Sequence, residues 1–472
     1  MKEQIMHTNN INNNTDVVVW DALMSSGKTT KIIDYMVTAS SANNLLKVDN
    51  EKFIYVSPYL AEAHRIAATT CDGTDSQSPV VDANGKYVYD ATLPQSVLEF
   101  RHPNNKNKDG SKLSSMMDLI SAKENIVSTH TLLNSLEAEA LEQCKDYTLV
   151  IDEAIVAYEI DSTLPSKTIN RYLENNVLSL LDDGITLKFH RENFGRYDGD
   201  DENYDSTKDT ECYEFAKACD KGLLYKFNNK IIRKFDVDVL TKFKKVIIMT
   251  YMFKGSMFDL LLQQAKLNVE IEYFGKTVES IRHLININMN EKDNAIGDYG
   301  LDAKGNKSKV KHTLTSNYFK KDRANGNKTS TMMYNKLWNM WQQRDKVEPS
   351  RRLWTCFSDD KMKVSKGKGK TNRYGNQWIA FNTRATNDYA EADHLAFLVN
   401  VFLDSNFIKA SSADGFSVSQ DHHATSILVQ WLFRSAIRNG KPIDLYIPSE
   451  RMRDLLLAWL DGEVPTYNTE GK

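Results

Sequence analysis

A chain of 472 residues, 41% hydrophobic and 10% aromatic, has room for about two or three domains with sizeable cores and is too apolar for wholesale disorder. Its 60 Lys and Arg against 63 Asp and Glu leave a formal charge of −3, so any nucleic-acid contact has to rest on local patches rather than on a global basic excess. The five cysteines (Cys71, Cys144, Cys212, Cys219, Cys356) form no C-x-x-C pair, which argues against zinc and for reduced thiols.

Residues 1–15 are Asn-rich and polar, without the apolar core of a secretion signal, and no run approaches 18 apolar residues. The expectation is a cytoplasmic protein with no membrane partner. The first strong element comes next. Val17-Val18-Val19 is a β-branched run that ends in Ala22-Leu23-Met24-Ser25-Ser26-Gly27-Lys28-Thr29-Thr30, and Ile32, Ile33, Tyr35 and Met36 then fall at helical spacing. A strand, a small-residue loop and a helix are what a phosphate-binding P-loop needs. Backbone N–H groups of Ser25 to Thr30 and the positive helix end can cradle phosphate oxygens. Lys28 can neutralise β/γ charge, and the Thr29 hydroxyl can hold Mg²⁺. Ala22 stands where the motif usually begins with Gly. ATP and Mg²⁺ are the expected ligands.

Further apolar strands are predicted at Phe53–Val56, Ile126–Val127, Thr148–Ile151 and Val246–Met249, separated by helical patterns such as Ala61–Ala67 and Leu132–Leu141. Near-continuous apolar strands alternating with helices predict a parallel sheet covered on both faces. Leu353–Phe357, Trp378–Phe381, His394–Val401 and Ile443–Ile447 predict a second one. Between them lie polar stretches: 71–115, 156–240 with the acidic run 198–205, and the Lys-rich 291–330. Lys361, Lys363, Lys366, Lys368 and Lys370 read equally as a phosphate-tracking loop or a solvated surface loop.

The strand ending Val150-Ile151-Asp152-Glu153-Ala154 puts adjacent carboxylates at its tip. Asp152 there can hold Mg²⁺ opposite Thr29, and Glu153 can deprotonate an attacking water.

Asp152-Glu153-Ala154 resembles motif II of the superfamily 2 helicases, the DEAD/DEAH-box-like ATPases, and the Ala22 start of the P-loop is similar to theirs. Val56-Ser57-Pro58 resembles motif Ia, and Val127-Ser128-Thr129-His130 a later strand-contacting motif of the first lobe. Met249-Thr250-Tyr251-Met252 occupies the place of motif III, with only Thr250 retained. Phe381-Asn382-Thr383-Arg384 resembles motif V, and Gln430 to Arg438 resembles motif VI, its second arginine one position later than usual.

The resemblance implies an α/β fold of two RecA-like parallel-sheet lobes with ATP in the cleft. It assigns Arg434, with Arg438 and Gln430, to the γ-phosphate side, the two arginines four apart on one helical face. Strand contacts fall to Ser57, Pro58, Thr129, Thr383 and Arg384. Residues 1–15 are then a tail, 16–265 the first lobe with insertions at about 71–115 and 156–240, 266–331 a linker or insertion, 332–460 the second lobe, and 461–472 a tail. The divergent motifs resemble phage and viral helicases of the origin-binding type. The implied role is a nucleic-acid-dependent ATPase in DNA replication or remodelling, in a bacterial host's cytoplasm. Single-stranded or forked DNA is favoured over RNA, with replication proteins as further partners. The alternatives are a viral DNA-packaging ATPase, which should carry a C-terminal nuclease, and an origin- or strand-binding protein that uses nucleotide only as a switch.

Overall fold

The computed structural model describes residues 15–46, 51–59, 98–105, 110–197, 210–298, 313–369, 371–383 and 388–463, with Ile66 and the pairs 80–81, 87–88, 300–301 and 307–308. The helical pattern 61–67, apart from Ile66, the acidic run 198–205 and both chain ends lie outside the described residues.

Seven of the strands among the described residues form one sheet, in the spatial order Val269–Tyr273, Asp16–Asp21, Lys245–Thr250, Tyr147–Asp152, Lys52–Ser57, Asn125–Thr129 and Phe100–Arg101. Every neighbouring pair is parallel. Side chains alternate between faces along a strand, so a strand buried on both sides must be apolar at every position. Asp16–Asp21 shows this directly. Val17 and Val19 enter the core on one face, while Val18 and Trp20 pack on the other with Ile32 and Met36 of helix Lys28–Leu46. The expected apolar strands are all present here, each extended by a residue or more at its ends.

Ile285–Ile287, Ile443–Tyr446, His394–Phe397 and Arg352–Thr355 form a second, four-stranded parallel sheet. The architecture is therefore α/β, with two parallel-sheet lobes. The lobes are packed together: Leu23 of the first-lobe loop and Met252 share one buried cluster with Trp354, Leu395, Trp431 and Trp459.

Several expectations are corrected. Residues 266–331, expected as a linker or insertion, supply a strand to each sheet, Val269–Tyr273 at the edge of the first and Ile285–Ile287 at the edge of the second. Their apolar residues sit singly between polar ones, a pattern too weak to read as strands in isolation. Trp378–Phe381 makes only an isolated bridge, Trp354 to Trp378, because the chain turns at once, with Thr383 N–H donating to the Ala380 carbonyl at 3.0 Å. The helix expected over 132–141 is two, His130–Asn134 and Ala138–Glu142, separated where Glu137 turns extended. Part of the lysine-rich loop is helix Lys361–Lys366, anchored by buried Val364 and Ser365.

The described residues of 156–240 build a small unit that adds a cluster of its own while Tyr158, Tyr225 and Ile232 pack into the first-lobe core. Tyr158–Asp161, Leu224–Phe227 and Lys230–Lys234 make a small antiparallel sheet. Ile169, Tyr172, Leu178, Phe189 and Phe215 fill the space beside it.

Candidate nucleotide-binding site

Parallel strands deliver all their carboxyl ends to one edge of the sheet, and ligands of such sheets bind there. Asp21, Ser57, Thr129, Asp152, Thr250 and Tyr273 end their strands on that edge. The loop after Asp21 is tightly wound. Ser26 N–H donates to the Leu23 carbonyl at 3.2 Å, and Lys31 N–H to that of Gly27 at 2.9 Å as the helix begins. Ser25 and Gly27 both stand in the left-handed region, at φ 61° and 84°. That alternation curls the backbone so that consecutive N–H groups converge, the geometry of an anion-binding nest. Gly27 has open space where a Cβ would sit, with nothing within 4 Å. Ser25, Gly27 and Thr30 are exposed, Ser26 and Thr29 half-buried.

Lys28 opens the helix, and its ammonium donates to the carbonyls of Ala22 and, at 3.4 Å, Leu23. Burial pushes it down to about 8, against the opposing pull of Asp152, Asp21 and Glu153. Three carboxylates thus act on one lysine at the loop. Asp152 and Thr29 supply only oxygen donors, the set a hard cation such as Mg²⁺ prefers. The nest, the cation and the oxygen pair together fit a Mg²⁺-bound triphosphate.

Glu153 is in the left-handed region at φ 61°, a conformation uncommon for a side chain of this type. Its N–H donates to the Met249 carbonyl at 2.9 Å, a last rung of the parallel pairing with Lys245–Thr250, and the chain bends there. Its carboxylate then meets Arg434 of the second lobe at 3.7 Å. Arg434 is buried and lies just past the end of helix Gln420–Leu432. Gln430 donates its amide to Ser426 of the same helix at 3.0 Å. Arg438 lies in the separate turn Ala436–Asn439, so the expected shared helical face of the two arginines does not form. The chain leaves the helix at Phe433, and i, i+4 spacing has no meaning beyond that point.

The expected strand contacts are split. Ser57 and Thr129 are direct neighbours in register at the sheet edge. Ser57, however, is fully buried, its hydroxyl accepting from Tyr59 N–H at 3.5 Å, which removes that side chain from direct contact with a strand. Thr129 is half-buried and caps helix His130–Asn134. Pro58 and Thr383 are half-buried, and Arg384 lies outside the described residues.

Sequence reasoning missed three features. Asp21 is buried and accepts from Phe253 N–H at 3.0 Å. Burial raises its carboxyl above the usual value, against Phe253, Met252 and Lys254 backbone donors and the Lys28 charge. The turn at 250–254 is also a meeting point of the lobes, with Trp459 donating to the Tyr251 hydroxyl at 2.8 Å and Met252 buried in the second-lobe cluster. Finally, Gly275 and Lys276 lie on the loop, with Lys276 N–H donating to Ser26 Oγ at 3.0 Å. A charged residue closing an apolar run was visible at Asp21, but its burial was not; nothing local marks Trp459 or Gly275.

Gly275 gives a sharp test of this loop. It sits at φ +83°, and a Cβ there would come within 2.4 Å of Ser26 Cβ and 3.0 Å of the Ser26 carbonyl oxygen. Gly275→Ala is expected to displace the loop and weaken nucleotide affinity about tenfold or more, read by titration with a fluorescent ATP analogue.

A family described as the YonV C-terminal Rossmann-like domain matches residues 279–460, a span that begins just ahead of the edge strand Ile285–Ile287 of the second sheet. Over 471 residues the chain is 26% identical to the SPbeta prophage-derived protein YonV of Bacillus subtilis (strain 168), covering 95% of this chain and 99% of that protein. Among solved structures, Xpd4 of S. tokodaii aligns over 94% of both chains with a TM-score of 0.48 and 12% identity. The Hef helicase domain of Pyrococcus furiosus aligns over 95% of both, with a TM-score of 0.31 and 10% identity. Among the described residues, no helix is long and apolar enough to cross a membrane.

Proposed function

We propose that this protein is a nucleic-acid-dependent ATPase of the helicase type, with ATP bound between the two lobes. The observation that carries the reading is the meeting of Arg434, from the second lobe, with Glu153 at 3.7 Å beside the loop that holds Lys28. A guanidinium presented across a cleft to the acidic tip of a P-loop lobe has the placement of an arginine finger.

In this reading Ser25 to Thr30 bind the phosphates and Lys28 neutralises charge on them. Thr29 and Asp152 would hold Mg²⁺, which supplies further neutralisation of the β/γ oxygens when bound. Glu153 takes a proton from the water that attacks the γ-phosphorus, and Arg434 exchanges the Glu153 carboxylate for the phosphoryl oxygens as charge builds there. The products are ADP and inorganic phosphate. Nucleotide that bridges the lobes in one state and not in the other supplies a closing and opening cycle. Nucleic acid would lie across both lobes through Thr129, Thr383, Arg384 and neighbouring backbone donors, held by its phosphates and therefore tolerant of sequence and sensitive to salt. Single-stranded or forked DNA is the favoured partner, with a place in phage DNA replication or remodelling.

The test is ATP turnover with and without single-stranded DNA. The strand should raise the rate, and Thr383→Ala should blunt that rise more than the basal rate. Arg434→Ala should lower turnover at least about 10²-fold with little change in ATP affinity, because its charge matters most in the transition state. Unchanged turnover in Arg434→Ala would overturn the cleft reading. Metal-dependent cleavage of duplex DNA without strand stimulation would favour a packaging ATPase, and nucleotide-dependent strand binding without turnover would favour a switch.

A further inference from the structure

The lobes touch at a second place, remote in sequence from the loop. Helix Ser405–Ala413 of the second lobe packs on the small sheet of the 156–240 insertion, with fully buried Ala410 and its neighbour Phe407 in the first-lobe core. The chain then turns at Asp414, whose side chain is only 6% exposed. Its carboxylate accepts from Tyr158 Oη at 2.5 Å, Tyr225 Oη at 2.7 Å and Lys234 Nζ at 2.8 Å. Lys234 also donates to Tyr225 Oη at 2.9 Å, which leaves the tyrosine proton for Asp414. Burial and the nearby carboxylate push both tyrosine hydroxyls well above their usual range, so they remain donors. Lys230 pairs with Asp404 at 2.9 Å beside this contact, and the Phe416 ring lies 6.2 Å from that of Tyr158.

This contact fixes one end of a helix that leads to the nucleotide site. Helix Gln420–Leu432 starts a few residues after Asp414, and Gln420 Oε1 accepts from Leu403 N–H at 2.8 Å, tying the helix start to the same anchored segment. Its 13 residues make a rod of about 20 Å. Arg434 stands just past the far end. The near end of the rod is tied through Leu403 to the segment that packs on the insertion, Ala424, Leu428 and Val429 seat its length in the second-lobe core, and its far end leads to the guanidinium beside Glu153.

We propose that Asp414 is a positioning residue for the ATPase site, seating the Gln420–Leu432 helix on the insertion so that Arg434 reaches Glu153. This role rests on the proposed ATPase function. A buried carboxylate with three donors resists sliding, because any shift strands charge away from water. Loosening it lets the far end of the rod drift, and misplacement on the order of 1 Å at a reacting phosphate is costly to rate.

The experiment compares kcat and KM for ATP in the full chain carrying Asp414→Asn, Tyr225→Phe, Arg434→Ala, and Asp414→Asn with Arg434→Ala together. Asp414→Asn should lower kcat about tenfold or more while KM stays within about threefold. Tyr225→Phe, which keeps the bulk and removes one donor, should do the same to a smaller degree, and it stands in if Asp414→Asn fails to fold. In the Arg434→Ala background, adding Asp414→Asn should cause no further loss of kcat, since its route to the chemistry is already gone. A merely structural role would give losses that multiply in the double variant, and that result overturns the inference. If Arg434→Ala lowers turnover while both Asp414→Asn and Tyr225→Phe leave kcat unchanged, the positioning role fails and the arginine-finger reading stands. If Arg434→Ala turns over normally, both fail.

Discussion

Lys28→Ala is expected to reduce ATP turnover at least about 10²-fold, because in the proposed mechanism it removes the cation that neutralises the phosphates. Its surroundings predict a second effect. Asp152, Asp21 and Glu153 all favour the Lys28 charge, so its loss leaves three carboxylates with less to neutralise them. The Asp21 carboxyl, raised by burial and partly held down by the Lys28 charge, should then titrate higher still. Phosphate release measures the first effect, and binding of a fluorescent ATP analogue shows whether affinity falls with rate. Lys28→Met keeps the stem without the charge and should match alanine in turnover. Wild-type turnover in both variants would remove the P-loop assignment.

Glu153→Gln should slow hydrolysis about 10²-fold or more while ATP still binds, since the amide keeps the size and the hydrogen-bonding oxygen but has no basic site for a proton. Asp152→Asn should behave differently. It should weaken the Mg²⁺ dependence and nucleotide binding together, because its oxygen is expected on the metal rather than on the water. The left-handed backbone at Glu153 makes the comparison clean, as glutamine introduces no new backbone demand there. Magnesium titrations of turnover and of analogue binding separate the two variants. Superimposable titrations would show that the adjacent carboxylates do not divide the work in this way.

Much of the fold was legible in the sequence because the relevant signals are local. An apolar run buried on both faces can be read from a few consecutive residues, and Asp16–Asp21, Lys52–Ser57, Tyr147–Asp152 and Lys245–Thr250 all have one. The small-residue loop closing on Gly27 and Lys28 announces its own turn, as glycine at φ 84° has no penalty to offset. The weak strands Val269–Tyr273 and Ile285–Ile287 were missed for the converse reason. They are sheet edges whose alternating or short apolar pattern gains meaning only from the neighbour they pair with.

Tertiary structure alone decided the rest. That Lys245–Thr250 lies between the P-loop strand and the acidic strand is a matter of sheet order, which no local pattern encodes. The burial of Asp21 and Ser57, the turn that parts Arg438 from Arg434, and the grip on Asp414 depend on partners far along the chain. Sequence periodicity reports which face of an element seeks the core. It is silent on which other element arrives there, and the 3.7 Å between Arg434 and Glu153 joins residues far apart in the chain that only such an arrival brings together.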